Sequence, residues 1–206
     1  MPLVSIHQTD TSAAWALWHI SETEHELAFL SMEALPEEIV APQKRLEYLA
    51  GRALVRHLAE KAGLDYIGIH KDEFGKPYLK NLPHHISLSH SFPYVAAQLH
   101  PTKTVGIDIE QPKDKLLRIA PRVLAPRELT DAGTDVAKHC VYWCAKEAMY
   151  KVYGKRGLHF DRQLLVEPFT MQNHGSLIGT IVAEAPQKIT LGYQVETDYV
   201  LVYTID

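Results

Sequence analysis

The sequence predicts an α+β protein of two similar halves, each a long helix packed on a small antiparallel sheet. Apolar residues recur at helical spacing in two long stretches, over about residues 42–61 and 137–153. Short β-prone stretches, separated by glycine and proline turns, follow both helices. Long helices combined with runs of consecutive strands are typical of α+β proteins.

Two helices are predicted in the first half. Ser21-Glu22-Thr23-Glu24 has the form of a capping box, so a helix should begin there and run toward Leu35. The longer helix, from about Pro42 to Lys61, ends just before Gly63, a residue that suits a C-terminal cap. Six strands are expected up to the middle of the chain, near Leu3–His7, Trp15–Ile20, Tyr66–His70, His85–Ser89, Tyr94–Leu99 and Thr104–Glu110.

The second half is predicted to begin with a basic helical stretch, Lys115–Val123, and to continue with a strongly periodic helix, Ala137–Tyr153. Cys140 and Cys144 share one face of that helix, where we expect them to be small buried residues, because two cysteines alone make neither a zinc site nor a disulfide framework. The tail is expected to be a meander of strands near Leu164–Val166, Ser176–Glu184, Ile189–Val195 and Tyr199–Ile205.

A faint internal repeat supports the division into halves. The first long helix leads into Lys61-Ala62-Gly63-Leu64, and the second into Lys155-Arg156-Gly157-Leu158, 94 residues later. This repeat predicts an N-terminal half of residues 1–104 and a C-terminal half of residues 105–206.

Composition narrows the class of protein. The chain has 46% hydrophobic and 22% charged residues and a net charge of −4, which does not favour binding to nucleic acid or to an anionic membrane. No apolar run reaches the roughly 20 residues that span a bilayer, and the N-terminus lacks the pattern of a signal peptide. We therefore expect a cytoplasmic protein.

The run Val105-Gly106-Ile107-Asp108-Ile109-Glu110 alternates between apolar and polar residues, as a half-buried strand does. Asp108 and Glu110 should then stand side by side on one strand face, beside the bare Gly106. An exposed face with two solvated carboxylates is the simpler interpretation of this run by itself. A third carboxylate nearby would instead favour a divalent-cation site.

Glu147 supplies a third acidic residue, four positions before Lys151 on the second long helix. A surface ion pair between these two residues explains the spacing adequately. Three carboxylates near one point would raise at least one pKa unless a cation lies among them.

Taken together, these motifs resemble the signature of the 4′-phosphopantetheinyl transferases. The resemblance rests on Gly106–Glu110 followed by Trp143-x-x-Lys146-Glu147-Ala148-x-x-Lys151. The length and two-half layout are similar to the larger, surfactin-synthetase-activating type, a monomeric pseudo-dimer. Further similar features are Arg45, Gly51-Arg52, the turn Gly75-Lys76-Pro77-Tyr78 and the segment Ile86–Ser91. Ala148 departs from the pattern, since many relatives have serine there.

The resemblance implies an enzyme that moves 4′-phosphopantetheine from coenzyme A to a serine of an apo carrier protein, releasing 3′,5′-ADP. Mg²⁺, with Mn²⁺ as the alternative, would be held by Asp108, Glu110 and Glu147. Glu147 is the first candidate for the base and Glu110 the second, while Lys151 would meet the departing phosphate. The residues implied for coenzyme A are Arg45, Arg52, Lys76, Ser89 and His90. A solvated basic stripe is the alternative interpretation of the arginines.

Lys115, Arg118 and Arg122 share a helical face, which predicts a docking surface for an acidic carrier protein. A solvated helix face explains them nearly as well. Two other functions remain open at this point: a Mg²⁺-dependent coenzyme A or nucleotide pyrophosphohydrolase, and an inactive coenzyme A-binding module.

Overall fold

The computed structural model describes residues 3–8 and 13–205, which divide into two units. The first unit ends at Val105 and the second begins at Gly106. None of the helices in these ranges is long and apolar enough to cross a membrane.

The first unit is a six-stranded antiparallel sheet with two helices. Its strands are β1 (Leu3–Gln8), β2 (Ala14–His19), β3 (Ile69–Lys71), β4 (Pro77–Leu79), β5 (His85–Ser91) and β6 (Tyr94–His100), in the order β1-β2-β6-β5-β4-β3. Between β2 and β3 come α1 (Glu24–Ser31) and α2 (Pro42–Lys61). Helix α2 packs on β2, β5 and β6 and buries a core that includes Trp18, Leu54 and Leu99.

The second unit is a five-stranded antiparallel sheet with four helices. Its strands are β7 (Ile107–Glu110), β8 (Leu164–Val166), β9 (His174–Ile181), β10 (Gln187–Val195) and β11 (Val200–Thr204), in the order β7-β11-β10-β9-β8. Between β7 and β8 come α3 (Lys115–Val123), α4 (Pro126–Ala132), α5 (Val136–Tyr153) and α6 (Phe160–Gln163). Helix α5 packs on every strand of this sheet, and its core includes Val141, Leu191 and Val202.

The two sheets have the same strand order once β1 is set aside, because β2-β6-β5-β4-β3 corresponds to β7-β11-β10-β9-β8. In both units the long helix lies in sequence between the first and the second strand of this pattern. The predicted α+β class with antiparallel sheets is confirmed. A pseudo-twofold relation between the halves stays a prediction.

Local sequence signals predict the bounds of most elements to within a few residues of those observed. The differences have physical causes. The capping box is formed by Thr23 and Glu26, two residues later than predicted, and α1 ends at Ser31 because Met32 is left-handed, with φ 54°. Helix α2 has the predicted bounds. It ends in a Schellman motif, in which the amide of Gly63 donates to Glu60 and that of Leu64 to Ala59.

Three short elements were not predicted from the sequence: β4, α4 and α6. Each has only three to seven residues. An element of that length shows too little hydrophobic period to be recognised, so tertiary packing rather than pattern identifies it.

Strand β7 is buried on both faces, so the expected half-exposed strand is wrong. Ile107 and Ile109 are 0% and 2% exposed, and Asp108, on the opposite face, is only 6% exposed. A Cβ atom added to Gly106 would lie 2.0 Å from the carbonyl oxygen of Ala148 on α5. The polar face therefore packs against α5, which approaches the strand closely where Gly106 has no side chain.

The substitution Gly106→Ala should destabilise the protein, because the new methyl group overlaps backbone that cannot rotate away. Overpacking of this kind typically costs about 1–3 kcal/mol. Gly51→Ala on α2 is the matched control, since its Cβ would meet Leu88 at 3.6 Å, an ordinary contact. Alanine there should stabilise the helix by up to about 1 kcal/mol. Urea unfolding of both variants measures the difference, and equal midpoints would contradict the close approach.

Candidate functional site

Lys151 joins helix α5 to strand β7 at the predicted acidic site. Its Nζ lies 2.7 Å from Asp108 Oδ1 and donates a second hydrogen bond, also of 2.7 Å, to the carbonyl oxygen of Ile107. The Asp108 side chain is only 8% exposed. A charge-assisted bond to a buried carboxylate is stronger than a fully exposed surface pair. Lys151 thus links helix α5 to strand β7. A surface ion pair between Glu147 and Lys151 along the helix does not predict this link.

Glu147 lies one helical turn before Lys151 and is partly buried. Burial is the main cause that raises the pKa of its carboxyl to about 7, and the neighbouring charge of Asp108 raises it further. Lys151 acts in the opposite direction without balancing these effects. Glu147 and Asp108 are therefore close enough to repel each other, and Glu147 is half protonated near neutral pH.

Glu110 follows Asp108 on the same face of β7. Its Oε2 lies 3.1 Å from Lys115 Nζ, at the start of α3, and its Oε1 accepts a hydrogen bond of 2.8 Å from the Gln111 amide. The Glu110 side chain is 20% exposed. Lys115, predicted for carrier docking, is thus also the ion-pair partner of a predicted metal ligand.

Asp108 and Glu110 are each paired with a lysine, and the three carboxylates are not gathered into a cage. In residues 3–8 and 13–205, no group of three or more histidine, cysteine, aspartate or glutamate side chains is placed to hold a metal ion. The chemistry of the donors nevertheless suits a hard divalent cation, because all three are carboxylates. The pKa of Glu147 is raised mainly by burial and in part by the charge of Asp108, and this second contribution is one that a bound cation would offset.

The two cysteines of α5 pack beneath these acids. Cys140 Sγ is 3.7 Å from the Glu110 carbonyl oxygen, and Cys144 Sγ is 3.8 Å from that of Val200. Both cysteines are fully buried and carry free thiols, and burial raises the pKa of Cys144 well above its usual value. The prediction that they are small buried residues is confirmed.

A buried ion pair between Lys146 and Glu128 fixes α5 from its other side, and sequence reasoning missed it. The two side chains are 2.7 Å apart and 0% exposed. Lys146 also donates to the carbonyl oxygens of Phe160 and Leu164, while Glu128 accepts from the amides of Ala125 and Val166. Every charge is therefore satisfied, as burial requires. The signal available in sequence was a proline two residues before Glu128, typical of a helix start.

Arg52 and Glu33 form a similar pair in the first unit. Arg52 Nε is 3.6 Å from Glu33 Oε2, and its guanidinium stacks 3.2 Å from the centre of the Tyr48 ring. Glu33 also accepts from the amide of Ile69 on β3, just as Glu128 accepts from Val166 on β8. Since Arg52 and Lys146 are 94 residues apart, the pair recurs at the spacing of the sequence repeat. Arg52 thus has a structural partner in its own unit.

The other predicted coenzyme A residues are dispersed over the first unit. Arg45 makes two hydrogen bonds to the carboxylate of Glu24, of 2.7 and 2.6 Å. Burial lowers the pKa of Lys76, whose amide is held by the Asp72 side chain. Ser89 and His90 are neighbours on β5, so their side chains point to opposite faces of the sheet. Ser89 is buried and His90 is exposed.

Comparisons with known proteins find similarity to one family, by a family model and by individual relatives. Residues 104–204 match the family model described as the 4′-phosphopantetheinyl transferase superfamily. A Bacillus subtilis "4′-phosphopantetheinyl transferase" is 38% identical over 118 residues, which cover 52% of this chain and 51% of that protein. The Bacillus subtilis (strain 168) "4′-phosphopantetheinyl transferase Sfp" is 32% identical over 140 residues, covering 58% and 61%. A third relative, "4′-phosphopantetheinyl transferase ffp" of Bacillus subtilis, is 29% identical over 180 residues, covering 82% and 77%. The chain spans about half the length of the first of these relatives.

The raised pKa of Glu147 predicts a pH-dependent stability. Because the folded-state pKa of about 7 lies above the ordinary 4.5, folding favours the protonated carboxyl. Stability is then fully present below about pH 4.5 and is lost as the pH rises through 7. Glu147→Gln removes the ionisation, so its Tm should match the wild type near pH 4.5 and exceed it by a few degrees above pH 7.5.

Thermal unfolding across this pH range measures the difference. Glu167→Gln is the control, because Glu167 is an exposed carboxyl of the same unit. A Tm difference between Glu147→Gln and the wild type that rises with pH no more than the control's does would contradict the raised pKa of Glu147.

Proposed function

We propose that the chain transfers 4′-phosphopantetheine from coenzyme A to a serine of an apo carrier protein, as a member of the 4′-phosphopantetheinyl transferase superfamily, whose model its residues 104–204 match. The observation that carries this proposal is the partly buried Glu147, with a pKa of about 7, beside the Asp108–Lys151 pair. A general base that works at neutral pH needs a pKa near that value. The carrier would belong to fatty-acid, polyketide or peptide-synthetase assembly.

In the proposed reaction, Glu147 accepts the proton of the carrier serine, with Glu110 as the second candidate for this role. The serine oxygen forms a bond to the β-phosphorus of coenzyme A, and the bond from that phosphorus to the bridging oxygen breaks. The bridging oxygen leaves on 3′,5′-ADP, so atoms and charge balance. Lys151 donates to the departing phosphate, which stabilises the charge that develops there.

Asp108, Glu110 and Glu147 are the residues that would hold Mg²⁺, or Mn²⁺ in its place. The ion supplies charge neutralisation on the pyrophosphate. For the ion to bind, Lys151 and Lys115 have to release the carboxylate oxygens of Asp108 and Glu110. Lys151 is then available for the phosphate. Replacing the lysine contacts by the ion is favoured, because a divalent ion brings more positive charge than one ammonium group. The carboxylate of Glu147, which has no lysine contact of its own among those described, would gain an opposite charge.

For the first unit we propose nucleotide binding by Arg45, Arg52, Lys76, Ser89 and His90. Arg45 and Arg52 would have to exchange their contacts with Glu24 and Glu33 for contacts with the nucleotide. We also propose that the enzyme is monomeric and cytoplasmic.

Transfer is tested by incubating the protein with coenzyme A, Mg²⁺ and an apo carrier, followed by mass spectrometry of the carrier. The wild type should add one phosphopantetheine, and Glu147→Gln should lower kcat by about 10²- to 10⁴-fold. Lys188→Met is the matched control, because Lys188 is an exposed lysine of the same unit.

The same assay separates the alternative functions. A pyrophosphohydrolase would release 3′,5′-ADP without any carrier, and an inactive binding module would modify no carrier in a panel. Unchanged transfer by Glu147→Gln would refute the site as assigned.

The docking surface proposed for an acidic carrier is the basic face of α3. Arg118 and Arg122 are exposed, whereas Leu116 and Ala120 of the same helix are buried in the core. Reversing both charges, in the double variant Arg118→Glu and Arg122→Glu, should raise the KM for the carrier about tenfold and leave that for coenzyme A unchanged. Lys188→Glu should change neither. A carrier KM that stays at the wild-type value in the double variant would end this idea.

A further inference from the structure

Helix α5 and strand β7 lie side by side and run in opposite directions. Cys140 Sγ lies 3.7 Å from the carbonyl oxygen of Glu110. About two turns further along the helix, the carbonyl oxygen of Ala148 would meet a Cβ on Gly106 at 2.0 Å. Eight residues advance a helix by about 12 Å, and four residues advance a strand by about 13 Å. The two elements therefore stay in register between these contacts.

Cys144 stands at the middle of this register, opposite Asp108. Its thiol makes a side-chain hydrogen bond with the Asp108 carboxylate, and its sulfur lies 3.8 Å from the carbonyl oxygen of Val200. Val200 belongs to β11, the strand that pairs with β7. A thiol has one proton to donate, and a carboxylate is a stronger acceptor than a neutral carbonyl. The Cys144 thiol is therefore a donor to Asp108.

Helix α5 holds the Asp108 carboxylate by two side chains of different mobility. The partly exposed Lys151 donates to its Oδ1 at 2.7 Å. The fully buried Cys144 contacts it from inside the core. Lys151 has to leave this oxygen if a cation is to bind there, whereas a thiol enclosed by the core keeps its place. The hydrogen bond from Cys144 is thus available to Asp108 both with and without an ion.

We propose that Cys144 is a positioning residue for Asp108: its thiol fixes the orientation of the carboxylate, so that the oxygen released by Lys151 is ready to bind the ion. This inference rests on the function proposed above, with Asp108 as a metal ligand. Carboxylates that bind metals are themselves hydrogen-bonded, and losing such a partner typically costs about 10- to 100-fold in metal affinity. A thiol is a weak donor, so the lower end of that range applies.

Binding of Mn²⁺, a paramagnetic probe for the proposed cation site, tests this role. Mn²⁺ is added to the whole chain in the presence of coenzyme A, and the free ion is measured by electron paramagnetic resonance. Cys144→Ala removes the donor and should weaken Mn²⁺ binding about tenfold. Cys144→Ser supplies a hydroxyl donor at the same position and should regain most of the affinity, which a purely structural role of the sulfur would not allow.

Cys140→Ala is the matched control. Cys140 is as buried as Cys144 on the same face of α5, but its sulfur contacts the carbonyl oxygen of Glu110 and the Cys144 thiol rather than a carboxylate. Both alanine variants remove one buried sulfur, so urea unfolding should show similar losses of stability. Only Cys144→Ala should lower the affinity for Mn²⁺.

The transfer assay gives a second readout. Cys144→Ala should raise the KM for Mg²⁺ about tenfold. The kcat at saturating Mg²⁺ and the KM for coenzyme A should stay near the wild-type values, because the thiol touches neither substrate and a bound ion itself holds the carboxylate.

Failure of the positioning role is distinguishable from failure of the function. If Cys144→Ala binds Mn²⁺ as tightly as Cys140→Ala, or if Cys144→Ser binds it no better than Cys144→Ala, the role is wrong even though transfer continues. A wild type that modifies carriers without binding Mn²⁺ overturns the role as well. If the wild type neither binds Mn²⁺ nor modifies any carrier, the proposed function falls and this inference falls with it.

Discussion

The close approach of helix α5 to strand β7 is the constraint on which the candidate site depends. Gly106 leaves room for the Ala148 backbone, which brings Asp108 beneath the helix and within reach of Lys151. On its opposite side α5 is fixed by the buried Lys146–Glu128 pair, and removing one member of such a pair costs about 3–5 kcal/mol. Because Lys146 and Glu147 are adjacent, fixing one fixes the rotation of the other. The orientation of Glu147 is therefore a property of the core.

The packing also determines which charges lie close together at the site. Two lysines hold the strand carboxylates, while Glu147, crowded by burial and by Asp108, takes a pKa of about 7. A site of this kind can exchange protons at neutral pH and still attract a cation. The first unit shows a comparable arrangement, since the buried Glu47 on α2 contacts Lys44 and His90, which reach solvent. In each unit a buried carboxylate thus positions basic side chains that are more exposed: Glu47 in the first unit and Asp108 in the second.

Much of the fold could be predicted from sequence because its long elements are locally encoded. The bounds of α2 and the Gly63 cap follow from hydrophobic period and glycine chemistry alone. Alternation put Asp108 and Glu110 on one face, but it could not tell that this face turns inward. Gly106 permits a close approach, yet nothing in the hexapeptide says that a helix 40 residues later makes it. The partners of charged residues were the least predictable feature. Glu128 and Glu47 are surface-like residues in sequence, and only tertiary packing buries them.

The central claim is that Glu147 carries a displaced pKa because its carboxyl is buried next to the charge of Asp108. It is tested most directly by an NMR titration of the Glu147 side-chain carboxyl carbon in the wild type and in Asp108→Asn. The account predicts a midpoint of about 7 in the wild type and a clearly lower midpoint once the Asp108 charge is removed. A wild-type midpoint at the ordinary value of 4.5, unmoved by the substitution, would contradict it.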